Sequence, residues 1–306
     1  MRDSSCLFCH VILPRTGLGN RLLPWARCRL FAEVNHARML VPYWPQVKFM
    51  SSVRGALGHP VNIFPIRTYH NLFRRGREEV TGWQRLWLQW TASKCPEPSA
   101  VAAPWPTPVA QRTVVVFEGL RDYFQQLKGW DEFLHRELRA ITRTRWLRRV
   151  DQIPLNVVGI NVGLSPFGDR VPPWGIEWYA ESLALIRKIA GFSVPAFLVS
   201  DGRPRVLAPL LTMGSVTLVT TGSAIGDILL LARARVLIGS GGSTFSAWAA
   251  FLGQMPTVTP PGYPLSWFRL HPRRRVYWGT LDPTSPSPIF VEQAREIVNS
   301  AQGPTV

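Results

Sequence analysis

Residues 227–253 read DILLLARARVLIGSGGSTFSAWAAFLG, and this stretch decides the fold class. An apolar helical pattern over 225–234 leads into a short strand pattern at 236–239. Glycine, serine and threonine residues follow and open a second helix that ends near Gly253. A helix, a strand, a small-residue loop and a helix in this order predict an α/β fold with a parallel sheet.

The rest of the second half continues this alternation. It predicts a doubly wound sheet, in which helices cover both faces of parallel strands. The predicted strands are 157–162, 194–200, 216–220 and 256–259, and the predicted helices are 176–190 and 206–211.

The first half begins with the same kind of unit. A strand at 7–13 meets a glycine turn at 17–20, and a helical pattern over 21–36 leads to a strand at 39–41. Further elements are helical spacing over 71–90, a proline-rich loop or lid at 96–108, a strand at 114–117 and one basic helix at 130–150. We therefore expect two Rossmann-like domains, 1–150 and 151–306.

Length and composition agree with two domains, since 306 residues exceed the usual size of one core and 46% of them are hydrophobic. The uncharged stretch 236–268 is too rich in glycine, serine and proline for a membrane span, so we expect it in the interior. With no secretory signal pattern, we expect a cytoplasmic protein. Cys6 and Cys9 should point to opposite faces of a strand, which argues against a metal or redox site.

The charge balance is strongly basic, with 35 Lys and Arg against 19 Asp and Glu, or +16. This favours an anionic partner, although no nucleic-acid-binding motif is present and nucleic acid is the less favoured partner. Arg145, Arg148 and Arg149 share one helical face. Two interpretations stay open for that face: it is simply solvated, or it rests on the anionic inner surface of a membrane.

Ligands of parallel sheets bind beyond the carboxyl ends of the strands. The loop 239–246 places small residues and hydroxyls at a helix N-terminus, which is typical of a phosphate cradle, and it lacks the lysine of a P-loop. The turn at 17–21 is either an ordinary turn or a close backbone approach to a ligand. In the loop 161–170, Asp169 and Arg170 either project into the cleft or form a surface turn.

Three segments together resemble bacterial glycosyltransferase family 11, the α-1,2-fucosyltransferase relatives of GT-B architecture. They are GLGNRLLPWARCRLFAE at 17–33, FLVSDG at 197–202, and the 227–253 stretch. Their order and spacing match over about 14–262.

The resemblance implies two domains facing a cleft, with 1–150 on the acceptor side and 151–306 on the donor side. It implies inverting transfer of fucose from GDP-fucose to a glycan or lipid-linked oligosaccharide, in polysaccharide biosynthesis, without metal or other cofactor. The implied donor-binding residues are Gly17, Gly19, Asn20, Arg21, Asn161, Gly163, Asp201, Asp227, Ser240, Ser243, Thr244, Phe245 and Ser246.

One motif departs from the family pattern. Where relatives carry H-x-R-x-G-D, this chain has Asn161, Gly163 and Pro166, so the histidine, the phosphate-binding arginine and the aspartate are replaced. A charge-assisted hydrogen bond of that kind contributes about 1.5 to 3 kcal/mol. We expect Arg170 to substitute, with Arg21 or Arg203 as alternatives, and Asp169 to serve as general base. The competing hypothesis is a degenerate relative that binds a glycan or a protein partner without catalysis.

Overall fold

The structure, a computed structural model, describes residues 6–44, 69–76, 78–106, 111–154, 158–164, 172–273 and 275–301. The chain divides into two compact units. The first comprises Met1–Arg121 and Arg136–Thr144, and the second comprises Asp122–His135 and Arg145–Val306. Each contains one parallel sheet flanked by helices, which confirms the α/β class.

The sheet of the first unit has four described strands in the order β2-β1-β4-β3, and every pairing is parallel. The predicted strand, turn and helix at the start of the chain are confirmed, because α1 follows β1 directly. The elements are β1 Leu7–Ile12, α1 Leu18–Val34, β2 Arg38–Met39, α2 Gly82–Thr91, β3 Ser93–Pro96 and β4 Thr113–Glu118.

The predicted single helix at 130–150 is wrong, since the chain forms two helices, α3 Asp131–Ile141 and α4 Thr144–Gln152. At the break, Thr142 Oγ1 donates to Leu138 O at 2.6 Å, and Thr142 forms an isolated bridge with Phe73. The Arg143 amide donates to Leu72 O at 3.0 Å. The helix ends because the chain pairs with a neighbouring strand-like segment instead of continuing its own hydrogen bonds.

The sheet of the second unit has six parallel strands in the order β10-β9-β8-β5-β6-β7. Counted from β5, this is the 3-2-1-4-5-6 order of doubly wound sheets read from the other edge, so the predicted topology is confirmed. Strand order reverses between β5 and β8, and ligand crevices form at such a switch point. The elements are β5 Val158–Val162, α5 Glu177–Ala190, β6 Ala196–Ser200, α6 Ala208–Leu211, β7 Val216–Leu218, α7 Ala224–Leu231, β8 Val236–Ile238, α8 Thr244–Gly253, β9 Thr257–Thr259, β10 Trp278–Thr280 and α9 Pro288–Ala301.

The central strands of this sheet are buried on both faces, as parallel strands between helices require. Gly159 permits the packing on one face, because a Cβ there would lie 2.8 Å from Ala234 Cβ. β8, α8 and β9 are almost entirely buried, which confirms that the uncharged stretch 236–268 is largely interior. Within the described ranges, no helix has both the length and the apolar character needed to cross a bilayer.

A buried arginine joins two segments of the first unit. Arg27 is fully buried, and its guanidinium donates to Glu118 O at 3.0 Å and to Gly119 O at 2.9 Å. Its Nε lies 3.2 Å from Glu97 Oε1, and the more exposed Arg121 approaches the same oxygen at 3.1 Å. The segment after β3 is thereby attached to the end of β4.

Replacing Arg27 by Met should lower the free energy of unfolding by about 3 to 5 kcal/mol, because the buried carboxylate of Glu97 loses its buried ion-pair partner. Urea unfolding followed by circular dichroism measures the change. Arg121→Met is the matched control and should cost about 0 to 1 kcal/mol, since that guanidinium is 46% exposed. Equal losses for the two variants would contradict this account.

His10 on β1 is held neutral. Burial is the largest cause that lowers its pKa to about 4, and the charges of Arg85 and Lys94 lower it further. The amide nitrogen of Gln89 lies 3.2 Å from His10 Nε2. The unfolded chain, with a histidine pKa of 6.5, takes up this proton first as the pH falls.

The parent protein should therefore lose stability as the pH falls from about 6.5 to about 4, by up to about 1.4 kcal/mol per pH unit. His10→Gln removes this titration, so the difference in unfolding free energy between variant and parent should change across that window and stay constant above pH 7. Urea titrations at a series of pH values test this. A difference that does not vary with pH would exclude a His10 held neutral in the folded protein.

Candidate functional site

The candidate site lies at the switch point of the second unit, beyond the carboxyl ends of β5 and β8. The loops that leave these neighbouring strands begin at Gly163 and Gly239. The loop after β6 begins with Asp201. The topology therefore brings Asn161, Gly163, Asp201 and residues 240–246 to one edge of one sheet.

A buried serine hydroxyl joins the two central strands. Ser246 is fully buried, and its Oγ accepts hydrogen bonds from Asn161 Nδ2 at 2.7 Å and from the Ser240 amide at 2.9 Å. Both donors and the acceptor are shielded from water, so these bonds fix the path of the β8 loop relative to β5.

Ser240 is held from the other side by Tyr179 of α5. The Tyr179 hydroxyl donates to Ser240 Oγ at 3.2 Å. Burial raises the pKa of Tyr179 to about 12, so the phenol remains a neutral donor at physiological pH. The hydroxyls of Ser240 and Ser246 therefore position the loop, and the surface open to a ligand is provided by the residues between them.

Those residues, 241–245, form what we call the amide run. Ser243 caps α8 by accepting a hydrogen bond from the Ser246 amide at 3.4 Å. Gly242 has φ of +63°, a left-handed conformation that favours glycine. The backbone amides of 241–245 donate to no atom of the residues that the structure describes. Five amides without an acceptor in the described part of the chain, at the positive end of a ten-residue helix, form a site suited to an anion.

Two aromatic side chains bound the amide run on one side. A Cβ added to Gly241 would lie 2.8 Å from Tyr263 Cβ and 2.9 Å from a ring carbon of Trp174. The Trp174 and Tyr263 rings meet edge to face, with centroids 4.7 Å apart. Gly242 is exposed, and Ser243 and Thr244 are half-buried, so the run remains open at these positions.

Asp201 and Gly163 shape the neighbouring loop. Asp201 Oδ1 accepts a hydrogen bond from the Leu164 amide at 3.1 Å. A Cβ at Gly163 would lie 3.2 Å from Ser240 Oγ, which leaves little room for a larger side chain there. Gly163 is therefore packed closely against the Ser240 side chain.

Asp227 lies at the edge of the same sheet, in the first turn of α7. Its Oδ1 accepts hydrogen bonds from the Thr221 amide at 2.8 Å and from Thr221 Oγ1 at 2.9 Å. Arg149 holds the same loop by donating to Thr221 O at 3.1 Å. Asp227 therefore organises the loop after β7, which is two strands away from β5.

The glycine turn of the first unit is held by its own arginine. Arg21 is buried, and it donates to Thr16 O at 3.0 Å and to Trp44 O at 3.3 Å. Burial lowers the pKa of Arg21. Gly17 precedes α1 and is exposed, Gly19 is buried, and Asn20 Oδ1 has no hydrogen-bond partner among the described residues.

Asp169 and Arg170 lie outside the described residues, as does Pro166. Across the part of the chain that is described, no group of three or more His, Cys, Asp and Glu side chains is placed to hold a metal ion. Sequence reasoning missed Tyr179, Trp174 and Tyr263. They belong to apolar or proline-rich stretches without a motif, and only the tertiary structure places them at the loop.

Replacing Ser246 by Ala should lower the free energy of unfolding by about 2 to 4 kcal/mol, because two buried donors lose their shared acceptor. Urea unfolding measures this. Thr244→Ala is the control and should change stability by less than about 0.5 kcal/mol, since the described residues offer its hydroxyl no hydrogen bond. A Ser246→Ala variant as stable as the parent would refute the role assigned to this hydroxyl.

No family model matches the chain, and no curated protein matches it in sequence. Solved structures match in fold. One is NodZ alpha-1,6-fucosyltransferase soaked with GDP-fucose, with a TM-score of 0.51, 18% identity, and coverage of 84% of this chain and 96% of that chain. Fucosyltransferase NodZ from Bradyrhizobium matches with a TM-score of 0.52, 16% identity, and coverage of 84% and 97%. The chain therefore has a GT-B-like α/β fold.

Proposed function

We propose that the protein is a glycosyltransferase that uses GDP-fucose as its donor substrate and transfers fucose to a glycan hydroxyl. The observation that carries this proposal is the amide run, five backbone amides that donate to no described residue and lie at the switch point of a doubly wound sheet. A diphosphate is the nucleotide-sugar group that such a site suits best. The choice of donor is supported by the fold relatives, which were solved with GDP-fucose or GDP.

In the proposed reaction an acceptor hydroxyl attacks the anomeric carbon of fucose with inversion. The bond from that carbon to the diphosphate oxygen breaks, and the hydroxyl proton passes to a base, for which Asp169 is our candidate. Negative charge develops on the leaving diphosphate, so preorganised donors stabilise the transition state more than the ground state. The helix end contributes about 0.3 to 1 kcal/mol per charge, and up to about 2 kcal/mol when partly buried. We propose that no metal or other cofactor is needed.

The residues fall into three groups by role. Ser243, Thr244 and Phe245 offer their amides to the diphosphate, and Arg170 supplies the cation. Ser240, Ser246, Asn161 and Gly163 position that loop. On the nucleoside and acceptor sides we place Asp201, Asp227, Gly17, Gly19, Asn20 and Arg21.

We assign acceptor binding to residues 1–150 and donor binding to residues 151–306. A glycan or a lipid-linked oligosaccharide is the proposed acceptor, in polysaccharide biosynthesis. We also propose a cytoplasmic location, where a peripheral contact with anionic membrane would give access to a lipid-linked acceptor.

Ser243→Asp provides a sharp test of the amide run. Aspartate caps a helix as well as serine does, so the fold should be retained while a negative charge enters the site. We expect GDP affinity to fall at least about tenfold, because the aspartate carboxylate would repel the negatively charged diphosphate beside it. Calorimetric titration of GDP, UDP and ADP measures affinity and base preference.

Ser285→Asp, which adds the same charge on an exposed loop of the second unit, is the control and should bind GDP as the parent does. Parent protein that binds no nucleoside diphosphate, or a Ser243→Asp variant with unchanged affinity, would exclude a diphosphate on the amide run.

A second candidate function is that of a degenerate glycosyltransferase-like protein that binds a glycan or a protein partner without catalysis. Asn161 directs its amide to Ser246, and Gly163 lies against Ser240, so neither offers a cation to a leaving diphosphate. The two candidates differ in whether GDP is released from GDP-fucose when glycan acceptors are added. Release supports the transferase, and tight donor binding without release supports the binding protein.

Arg170→Ala tests the proposed substitute cation. If Arg170 neutralises the diphosphate, calorimetry should show donor affinity reduced about 10- to 100-fold, as expected for a lost charge-assisted hydrogen bond. Arg205→Ala, a change at an exposed arginine after β6, serves as the comparison. Unchanged donor affinity in Arg170→Ala would rule out this role.

A further inference from the structure

The helix α2 of the first unit presents an apolar face to solvent. Trp83 is 86% exposed, Trp90 is 88% exposed, and Leu86 and Trp87 are each almost half exposed. Their spacing of three, four and seven residues places all four side chains on one helical face, about 100° wide.

The opposite face of α2 packs on the sheet. Leu88 is buried against Phe8 and Val114, and the Gln89 side chain reaches His10 on β1. Arg85, also on this side, is half-buried. A core-packing helix normally buries its apolar stripe. Here the stripe points outward while the helix is fixed through Leu88, so the tryptophans do not complete the core of this unit.

The surroundings of this face are basic. No acidic residue occurs between Val80 and Pro96. The guanidinium of Arg112 lies over the Trp87 ring, 4.6 Å from its centroid. The Ser93 amide donates to Arg112 O at 3.0 Å, so exposed Arg112 lies beside exposed Lys94. An apolar stripe flanked by cations complements a partner that has an apolar interior and anionic groups at its surface.

The area and composition of the face favour lipid over a second copy of the chain. When about 150 to 250 Å² per aromatic side chain is weighted by the exposed fraction of each residue, the four side chains offer roughly 600 Å² at most. A stable protein interface takes about 800 Å² from each partner. Tryptophan is the side chain that concentrates at the boundary of a bilayer, because its ring is apolar and its N–H needs a polar partner.

We infer that this tryptophan face docks the first unit on an anionic lipid bilayer. Trp83, Trp87 and Trp90 enter the headgroup region with the helix lying in the plane of the surface, and Arg112 and Lys94 contact lipid phosphates. The inference does not depend on the proposed transferase function.

Sedimentation of the full-length protein with vesicles tests the inference. The parent should bind vesicles of equal parts phosphatidylglycerol and phosphatidylcholine, and bind pure phosphatidylcholine at least about fivefold more weakly. The double variant Trp83→Ser/Trp90→Ser should lose about tenfold or more in vesicle affinity. Both side chains are exposed, so its unfolding curve should match that of the parent.

Trp267→Ser, at an exposed tryptophan of the second unit, is the matched control and should bind vesicles as the parent does. Arg112→Gln/Lys94→Gln should weaken binding to anionic vesicles without affecting the weak binding to pure phosphatidylcholine. Unchanged vesicle binding by the double tryptophan variant would overturn the inference. So would a parent that ignores vesicles and dimerises through this face, shown by a monomeric double variant in analytical ultracentrifugation.

Discussion

The arrangement of the candidate site depends on one hydroxyl group. Ser246 Oγ accepts from Asn161 on β5 and from the Ser240 amide after β8, so it joins the two strands at which the sheet reverses its order. Because the Ser240 amide is bonded to Ser246 Oγ, the five residues between Ser240 and Ser246 are held as a closed loop after β8. Their amides have no acceptor among the described residues, and we attribute the capacity of the loop to hold an anion to this anchoring.

Most of the second unit could be predicted from its sequence, because buried parallel strands and covering helices leave periodic apolar patterns. The small-residue loop at 239–246 was located by the same means. The different roles of its hydroxyl groups could not be predicted. Nothing in the sequence distinguishes the buried hydroxyls of Ser240 and Ser246 from the more accessible ones of Ser243 and Thr244. That distinction depends on Tyr179 and Asn161, which are distant in sequence.

Most of the elements that the sequence predicts wrongly have one physical cause. Tertiary contacts there determine the structure against the local sequence pattern. The basic helix expected at 130–150 breaks at Thr142 because the chain there bonds to Leu72 and Phe73. The aromatic pattern over 71–90 predicts a helix, and the structure has an α-helix only in its second part, at Gly82–Thr91. Periodicity does not reveal that the tryptophans of this helix face solvent. β10 is three residues long and follows an arginine cluster, so it carried no strand pattern.

Several arginines in the described part of the chain hold loops by bonding to backbone carbonyls. Arg187 alone donates to Val194 O at 3.1 Å, Met213 O at 2.7 Å and Gly214 O at 2.7 Å, and so gathers carbonyls from two separate loops. A planar guanidinium can serve three acceptors in fixed directions, whereas an ammonium group is a single point of charge on a flexible stem. The chain has only four lysines, and this preference for arginine is consistent with the use of guanidinium groups to hold loops. Replacing arginine by lysine at such positions would preserve the net charge but would loosen the loops. We therefore expect such substitutions to be poorly tolerated where one arginine bonds to several loops.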